Sequence, residues 1–192
     1  MSAHPIHHYG HPVLRAKGES VREFGPSLRM LGNTMLEAMR AAKGIGLAAP
    51  QIGLSLQLFV IDICDDEYQP TYDGKKVDAQ TIMPLLLANA KVTTPEGPSE
   101  TYTEGCLSFP GITGDVNRVE QAVVKFHDAD GTAHTLECEG LLARCVHHEH
   151  DHCQGVLFID RMSRAHQLLV ASKVKKLQRA TQAELKAAKK KS

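Results

Sequence analysis

The spacing of hydrophobic and polar positions changes several times along the chain, and each change marks an element. In "SLRMLGNTMLEAMRAAK" (27–43), Leu28, Leu31, Met35 and Met39 recur at helical spacing, with Ser27 in the N-cap position and Gly44 as the C′ stop. "LQLFVIDI" (56–63) is a short unbroken apolar run and predicts a buried strand. "DDEYQPTYDGKKVDAQTI" (65–82) is polar and rich in turn formers, which predicts a surface loop with a short hairpin. "LLLANAKVTT" (85–94) is strand-like. "RVEQAVVKFHD" (118–128) partly alternates, "DADG" turns the chain, and "TAHTLECEG" (132–140) follows, the pattern of a hairpin. A helix is predicted from about 141 to 154, with Gly155 just past its end, and a long helix from 163 onward that grows more basic. There is no internal repeat. Helix, strands, helix and helix in that order predict an α+β fold with mostly antiparallel sheets, an N-terminal helix and a long C-terminal helix. Residues 1–165 are expected to form the main body, and 166–192 a C-terminal helix and basic tail of the same single domain.

Composition narrows the picture only slightly. The 192 residues carry 22 basic and 22 acidic side chains, and 42% are hydrophobic, which suits one domain with a real core. A balanced charge argues against a general nucleic-acid binder, and no sequence-specific nucleic-acid contact is expected. No apolar run approaches the roughly 18 residues a membrane helix needs, so no membrane partner is expected. "MSAHPIHHYGHPVLR" at the start lacks an apolar core and a small-residue cleavage site, which predicts a cytoplasmic protein. The five cysteines (Cys64, Cys106, Cys138, Cys145, Cys153) are an odd number and favour metal binding or burial over a disulfide framework.

The candidate chemistry lies in "CVHHEHDHCQG" (145–155). His148, Glu149 and His152 match H-E-x-x-H. Residues four apart on a helix differ by about 40° in azimuth, so two imidazoles can share one ion while Glu149, about 60° from His152, reaches water beside it. A third ligand is needed, and two cysteines compete. Cys145 lies one turn before His148, but three ligands on one helix would have to converge from three levels. Cys106, in the Gly- and Pro-bounded "EGCLSFPG" (104–111), can approach from across a cleft and is preferred. His147 and His150 fall off the ligand face. Asp151 flanks it and can orient a ligand, pair with a basic residue such as Arg118, or stand as a simple surface carboxylate. The N-terminal His4, His7, His8 and His11 read as a polar strand or arm.

"GIGLAAPQIG" (44–53) supplies a second loop. It lacks the order of a phosphate-binding loop. Its Gln51 offers a neutral amide that suits a developing oxyanion beside a cation.

"GIGLAAPQ", "EGCLS" and "HEHDH", in that order, resemble the three signature motifs of the peptide deformylases, and the likeness runs from "GHPVLR" (10–15) to "GVLFIDRM" (155–162). The resemblance implies sheets packed around a central metal-binding helix, and removal of the N-formyl group from N-formylmethionyl nascent peptides. It implies one divalent ion, Fe²⁺ in the cell and exchangeable for Zn²⁺ or Ni²⁺, on Cys106, His148 and His152. Glu149 would move the proton, and Gln51 with the N–H of Leu107 would bind the oxyanion. Gly46 would bond the peptide backbone, and Ile45, Tyr102 and Cys145 would line the methionine pocket. Separately from the resemblance, Lys173, Lys175, Lys176, Arg179, Lys186 and Lys189–Lys191 make the end of the last helix locally basic, which reads either as a solvated helix end or as an electrostatic contact with the ribosome near its exit. The chain departs from the family's usual pattern at His147, commonly Gln, at His150, commonly apolar, at Cys153, commonly Leu, and at Thr113, where some relatives carry Arg. A zinc peptidase and a non-catalytic metal-binding protein are the competing readings of the helix motif taken alone.

Overall fold

The computed structural model of the chain describes residues 5–63 and 69–189. His4, Cys64, the first residues of the 65–82 loop, and Lys190 and Lys191 lie outside them. The elements are α1 (Pro26–Ala41), β1 (Gly46–Ala48), β2 (Leu58–Ile61), β3 (Thr71–Tyr72), β4 (Lys75–Lys76), α2 (Ala79–Ile82), β5 (Leu85–Thr93), β6 (Ser99–Gly105), β7 (Thr113–Val119), β8 (Gln121–His127), β9 (Ala133–Glu139), α3 (Gly140–Cys153), α4 (Phe158–Arg161) and α5 (Arg164–Lys189). Among the described residues one antiparallel sheet runs β1-β2-β5-β8-β9-β3-β4, and β6 pairs with β7 in a second. The α+β expectation holds.

β2 explains its own unbroken apolar run. Phe59 and Ile61 face a core built with Leu142, Ala143 and Val146 of α3. Leu58 and Val60 face the opposite layer, where Leu28, Met35 and Met39 of α1 pack. A strand covered on both faces shows no alternation. α3 thus lies on one side of the large sheet and α1 on the other. A third cluster, Phe109, Ile112, Val116, Leu157, Phe158 and Met162, joins β7 to α4, and α5 adds Val170, Val174 and Leu177 to it.

Several boundaries differ from the sequence expectation. The N-cap of α1 is Gly25, not Ser27, because Pro26 takes the first helical position, where its fixed φ fits and its missing N–H costs nothing. The left-handed residue after α1 is Lys43 (φ 58°), one place before the predicted Gly44. Gly44 serves a different purpose: a Cβ there would lie 2.7 Å from Leu107 Cδ1. At the end of α3, Gly155 takes φ 73° as predicted. The 65–82 segment does hold a short hairpin, β3–β4, which pairs with β9, and then the one-turn α2.

The β8–β9 hairpin is present, but Arg118 and Val119 belong to β7. β6 was not legible as a strand. Six of its seven residues are exposed and only Glu104 is buried, so it has no hydrophobic period to read. Its partner β7 supplies the hydrogen bonds that make it a strand.

Candidate active site

Two segments meet at the mouth between the sheets. α3 presents His148, Glu149 and His152, and the turn after β6 presents Cys106. One donor atom from each of Cys106, His148 and His152 lies within 4.8 Å of the others, and Cys106 Sγ is 3.2 Å from His152 Nε2. A tetrahedral ion with S at about 2.3 Å and N at about 2.05 Å sets S···N separations near 3.5 Å, so this donor set fits a divalent cation. One thiolate with two imidazoles is also the borderline-soft set that suits Zn²⁺, Fe²⁺ or Ni²⁺. The competing Cys145 is not in this group. It is buried in the cavity wall, with its Sγ 3.8 Å from the Ile45 carbonyl, and burial pushes its thiol well up.

Behind the three donors stands a buried ion network. Glu104 Oε2 is 3.0 Å from His148 Nδ1. The carboxylate also accepts from Arg118 Nε at 2.6 Å, Arg118 Nη2 at 3.0 Å and Arg144 Nη1 at 3.0 Å. Burial alone would raise Glu104, but the bonds from His148 and Arg118 bring it down to about 2. It is therefore ionised and accepts only, so His148 donates through Nδ1 and its Nε2 keeps the lone pair a metal needs. Arg118 continues to Asp151 at 2.9 Å, and Asp151 takes a second guanidinium from Arg161 at 2.6 Å. Pairing with Arg118 was one of three readings open to Asp151, and because the residue is buried it is not a surface carboxylate.

Glu149 is buried beside the donors, and its Oε2 has no hydrogen-bond partner among the described residues. Burial pushes its carboxyl up to about 7, against the pull of the His148 charge. Burial and then the neighbouring His148 lower His152, whose Nδ1 is likewise unpartnered among the described residues. His148 moves the other way: burial opposes its charge, but Cys106 and Glu104 outweigh it.

Gln51, 1% exposed, sits in the one-turn 3-10 helix after β1. Its Oε1 accepts from the Ala48 N–H at 2.8 Å, which turns its Nε2 toward Ser108 Oγ (3.2 Å) and Cys106 Sγ (3.6 Å). A cavity of about 660 Å³ opens here, lined by Ile45, Gly46, Gln51, Tyr102, Cys106, Leu107, Cys145, His148 and Glu149. All ten residues singled out from the sequence thus border the cavity or belong to the donor group. Sequence reasoning gave no role to Glu104, Arg144 or Ser108, although Glu104 and Ser108 stand inside the quoted "EGCLS". His147 lies off the donor group, as expected, with Nε2 3.2 Å from the Gln121 carbonyl.

Comparison with known proteins agrees with this arrangement. Residues 3–168 match the family model described as polypeptide deformylase. The peptide deformylase of Opitutus terrae is 46% identical over 185 residues, spanning 94% of this chain and 96% of that protein. The crystal structure of peptide deformylase from Thermus thermophilus superposes with a TM-score of 0.79 at 37% identity, over 93% of this chain and 99% of that one. The peptide deformylase from Synechococcus elongatus, solved in complex with actinonin, gives a TM-score of 0.75 at 38% identity, over 90% and 84% of the two chains. With its motifs folded onto one cavity and its likeness extending over nearly its whole length, the chain belongs to the polypeptide deformylase family.

Proposed function

We propose that Cys106, His148 and His152 hold one divalent metal ion in this deformylase, and that Glu149 moves the proton in hydrolysis of the formyl amide. The reaction is the family's: the N-formyl group is removed from newly made polypeptides, and formate is released. Peptide deformylases are metalloenzymes, and we take the resident ion to be Fe²⁺, with Zn²⁺ or Ni²⁺ able to replace it. One observation carries the reading, the convergence of the three donor atoms beside Glu149, whose buried Oε2 has no partner among the described residues.

When bound, the ion polarises the formyl group and makes water acidic enough to lose a proton near neutral pH. Glu149 takes that proton and returns it to the nitrogen of the leaving amine as the C–N bond breaks. Gln51 Nε2, held in direction by the Ala48 bond, and the N–H of Leu107 donate to the oxygen as negative charge develops on it. β1 is an edge strand, and the Gly46 backbone bonds the peptide as one more strand would. Ile45, Tyr102 and Cys145 receive the methionine side chain; Ile45 and Tyr102 are large apolar residues left exposed at the rim. The test is formate release from a neutral formyl-methionyl peptide. Glu149→Ala should abolish it while metal content stays near one per chain, and normal turnover in that variant would end the proposal. Metal analysis after anaerobic purification identifies the ion.

Two wider expectations go with this reading. No helix among the described residues is long and apolar enough to cross a membrane, and cytoplasmic residence suits a substrate that is a nascent chain. The exposed Lys173, Lys175, Lys176, Arg179 and Lys186 make α5 a candidate ribosome contact, and the packing of Val170, Val174 and Leu177 on the third cluster supports reading the C-terminal helix as part of one domain with the rest of the chain. Replacing Lys175, Lys176 and Arg179 by Gln should weaken co-sedimentation with ribosomes at low salt. Unchanged co-sedimentation would remove the contact.

A further inference from the structure

We infer that Lys43 sets a peptide preference: this enzyme favours formyl-methionyl peptides with an acidic side chain within the two residues after the methionine. The inference rests on the deformylase reading of the cavity and adds a substrate class to it.

The direction of the peptide follows from the topology. Lys43, Gly44, Ile45 and Gly46 line the cavity in succession, and β1 begins at Gly46 as the outermost strand of the large sheet. The chain runs inward along this stretch. A Cβ on Gly46 would lie 2.5 Å from Glu149 Oε1, and Ala48 donates to Gln51, so the reacting end of the cavity is at Gly46–Ala48 and the rim is at Lys43. A formyl group delivered to Glu149 and Gln51 occupies the inner end. The rest of the peptide must then leave antiparallel to residues 43–46. An extended peptide advances about 3.3 Å per residue, and because β1 covers only Gly46–Ala48, beyond Gly46 the peptide leaves over the turn that joins α1 to β1. With the methionine beside Gly46, the next two residues pass Ile45, Gly44 and Lys43.

The charges around the cavity single out the same residue. Arg144 lines the wall, but its guanidinium is held by Glu104 at 3.0 Å and by the carbonyls of Val116 and Glu100. Glu104 is in turn shared with Arg118 and His148, and Glu149 is buried. Lys43 is exposed and has no ion pair among the described residues, so it is the cation the rim offers to a ligand. Its backbone is unusual as well. Lys43 takes φ 58°, a conformation glycine adopts freely and a lysine does not, with a glycine standing next to it. That conformation closes the C-terminus of α1, with the Lys43 N–H on the Arg40 carbonyl and the Gly44 N–H on the Met39 carbonyl, and it holds Lys43 on the rim of the cavity, beside the exit path of the peptide.

The test uses metal-loaded enzyme and three formyl-methionyl peptides that differ only by Glu, Gln or Lys at the two positions after methionine. For the wild type, kcat/KM should fall in the order Glu, Gln, Lys, with a spread of about fivefold at low salt, the size an exposed charge pair gives. The spread should shrink as salt is raised. Lys43→Gln should flatten the order and Lys43→Glu should reverse it. Each ratio is taken within one variant, so a smaller folded fraction does not affect it. Formate release with the same ratios in all three proteins overturns the role of Lys43 and leaves the deformylase reading standing. Absence of formate release from every peptide with the wild type overturns both.

Discussion

Glu104 Oε2 lies 3.0 Å from His148 Nδ1, and the same carboxylate accepts from Arg118 and Arg144. One buried anion therefore fixes the ring of the histidine we propose as a metal ligand and is itself fixed by two guanidinium groups. Removing only its charge separates orientation from packing. Glu104→Gln keeps the shape and an acceptor oxygen, but weakens the bond that makes His148 Nε2 a better donor. Metal affinity, measured by competition with a chelator, should fall about 10- to 100-fold. Unchanged affinity in a folded variant would mean that helix packing alone orients the ring.

Acid stability of the metal-free protein should report the same carboxylate. The Glu104 pKa in the fold is about 2, below its ordinary value of 4.5. A depressed carboxyl stabilises the fold fully above the unfolded value and loses that contribution as pH falls through the folded one. The window is thus about pH 4.5 down to 2, and the shift corresponds to a contribution on the order of 3 kcal/mol. Unfolding free energy from denaturant titrations should fall more steeply across this window in the wild type than in Glu104→Gln. Parallel slopes would remove Glu104 from the acid response.

How much of this was legible in the sequence follows from the distances involved. His148, Glu149 and His152 could be read because helical geometry alone puts them on one face. The buried β2 could be read because both its faces are apolar. Glu104 could not be assigned a role, since its partners Arg118, Arg144 and His148 are 14, 40 and 44 residues away in the chain. β6 was hidden for a related reason: its one buried residue is that same charged Glu104, so the pattern of a half-buried strand is missing where the ion network replaces it. The choice of Cys106 over Cys145 needed an argument about convergence in space, and the structure supplies that directly.

The end of α3 should be sensitive to one methyl group. Gly155 has φ 73°, and a Cβ there would meet the backbone oxygen of Arg15 at 2.7 Å. Neither the conformation nor the neighbour can give way cheaply. Gly155→Ala should cost about 2–4 kcal/mol. For a chain of this size that lowers Tm by roughly 5–12 °C in thermal unfolding of the metal-free protein. A loss under about 2 °C would show that the turn relaxes away from Arg15.

Gly46→Ala should strike catalysis more than folding. A Cβ at Gly46 would lie 2.5 Å from Glu149 Oε1 and 2.8 Å from Cys145 Sγ. Both are the ends of side chains, so the clash is relieved by moving them, and stability should fall by only about 1–3 kcal/mol. Displacing Glu149 by a few tenths of an ångström takes the carboxylate we propose as the base away from its proton, and kcat/KM should drop about 100-fold with metal content unchanged. The double variant Gly46→Ala/Cys145→Ala decides which contact matters. It frees the sulfur side only, and because the carboxylate is the nearer neighbour, it should recover less than about tenfold of that loss. Full recovery would mean that the added methyl acts through Cys145 in the cavity wall, and that the position of Glu149 is not what Gly46 protects.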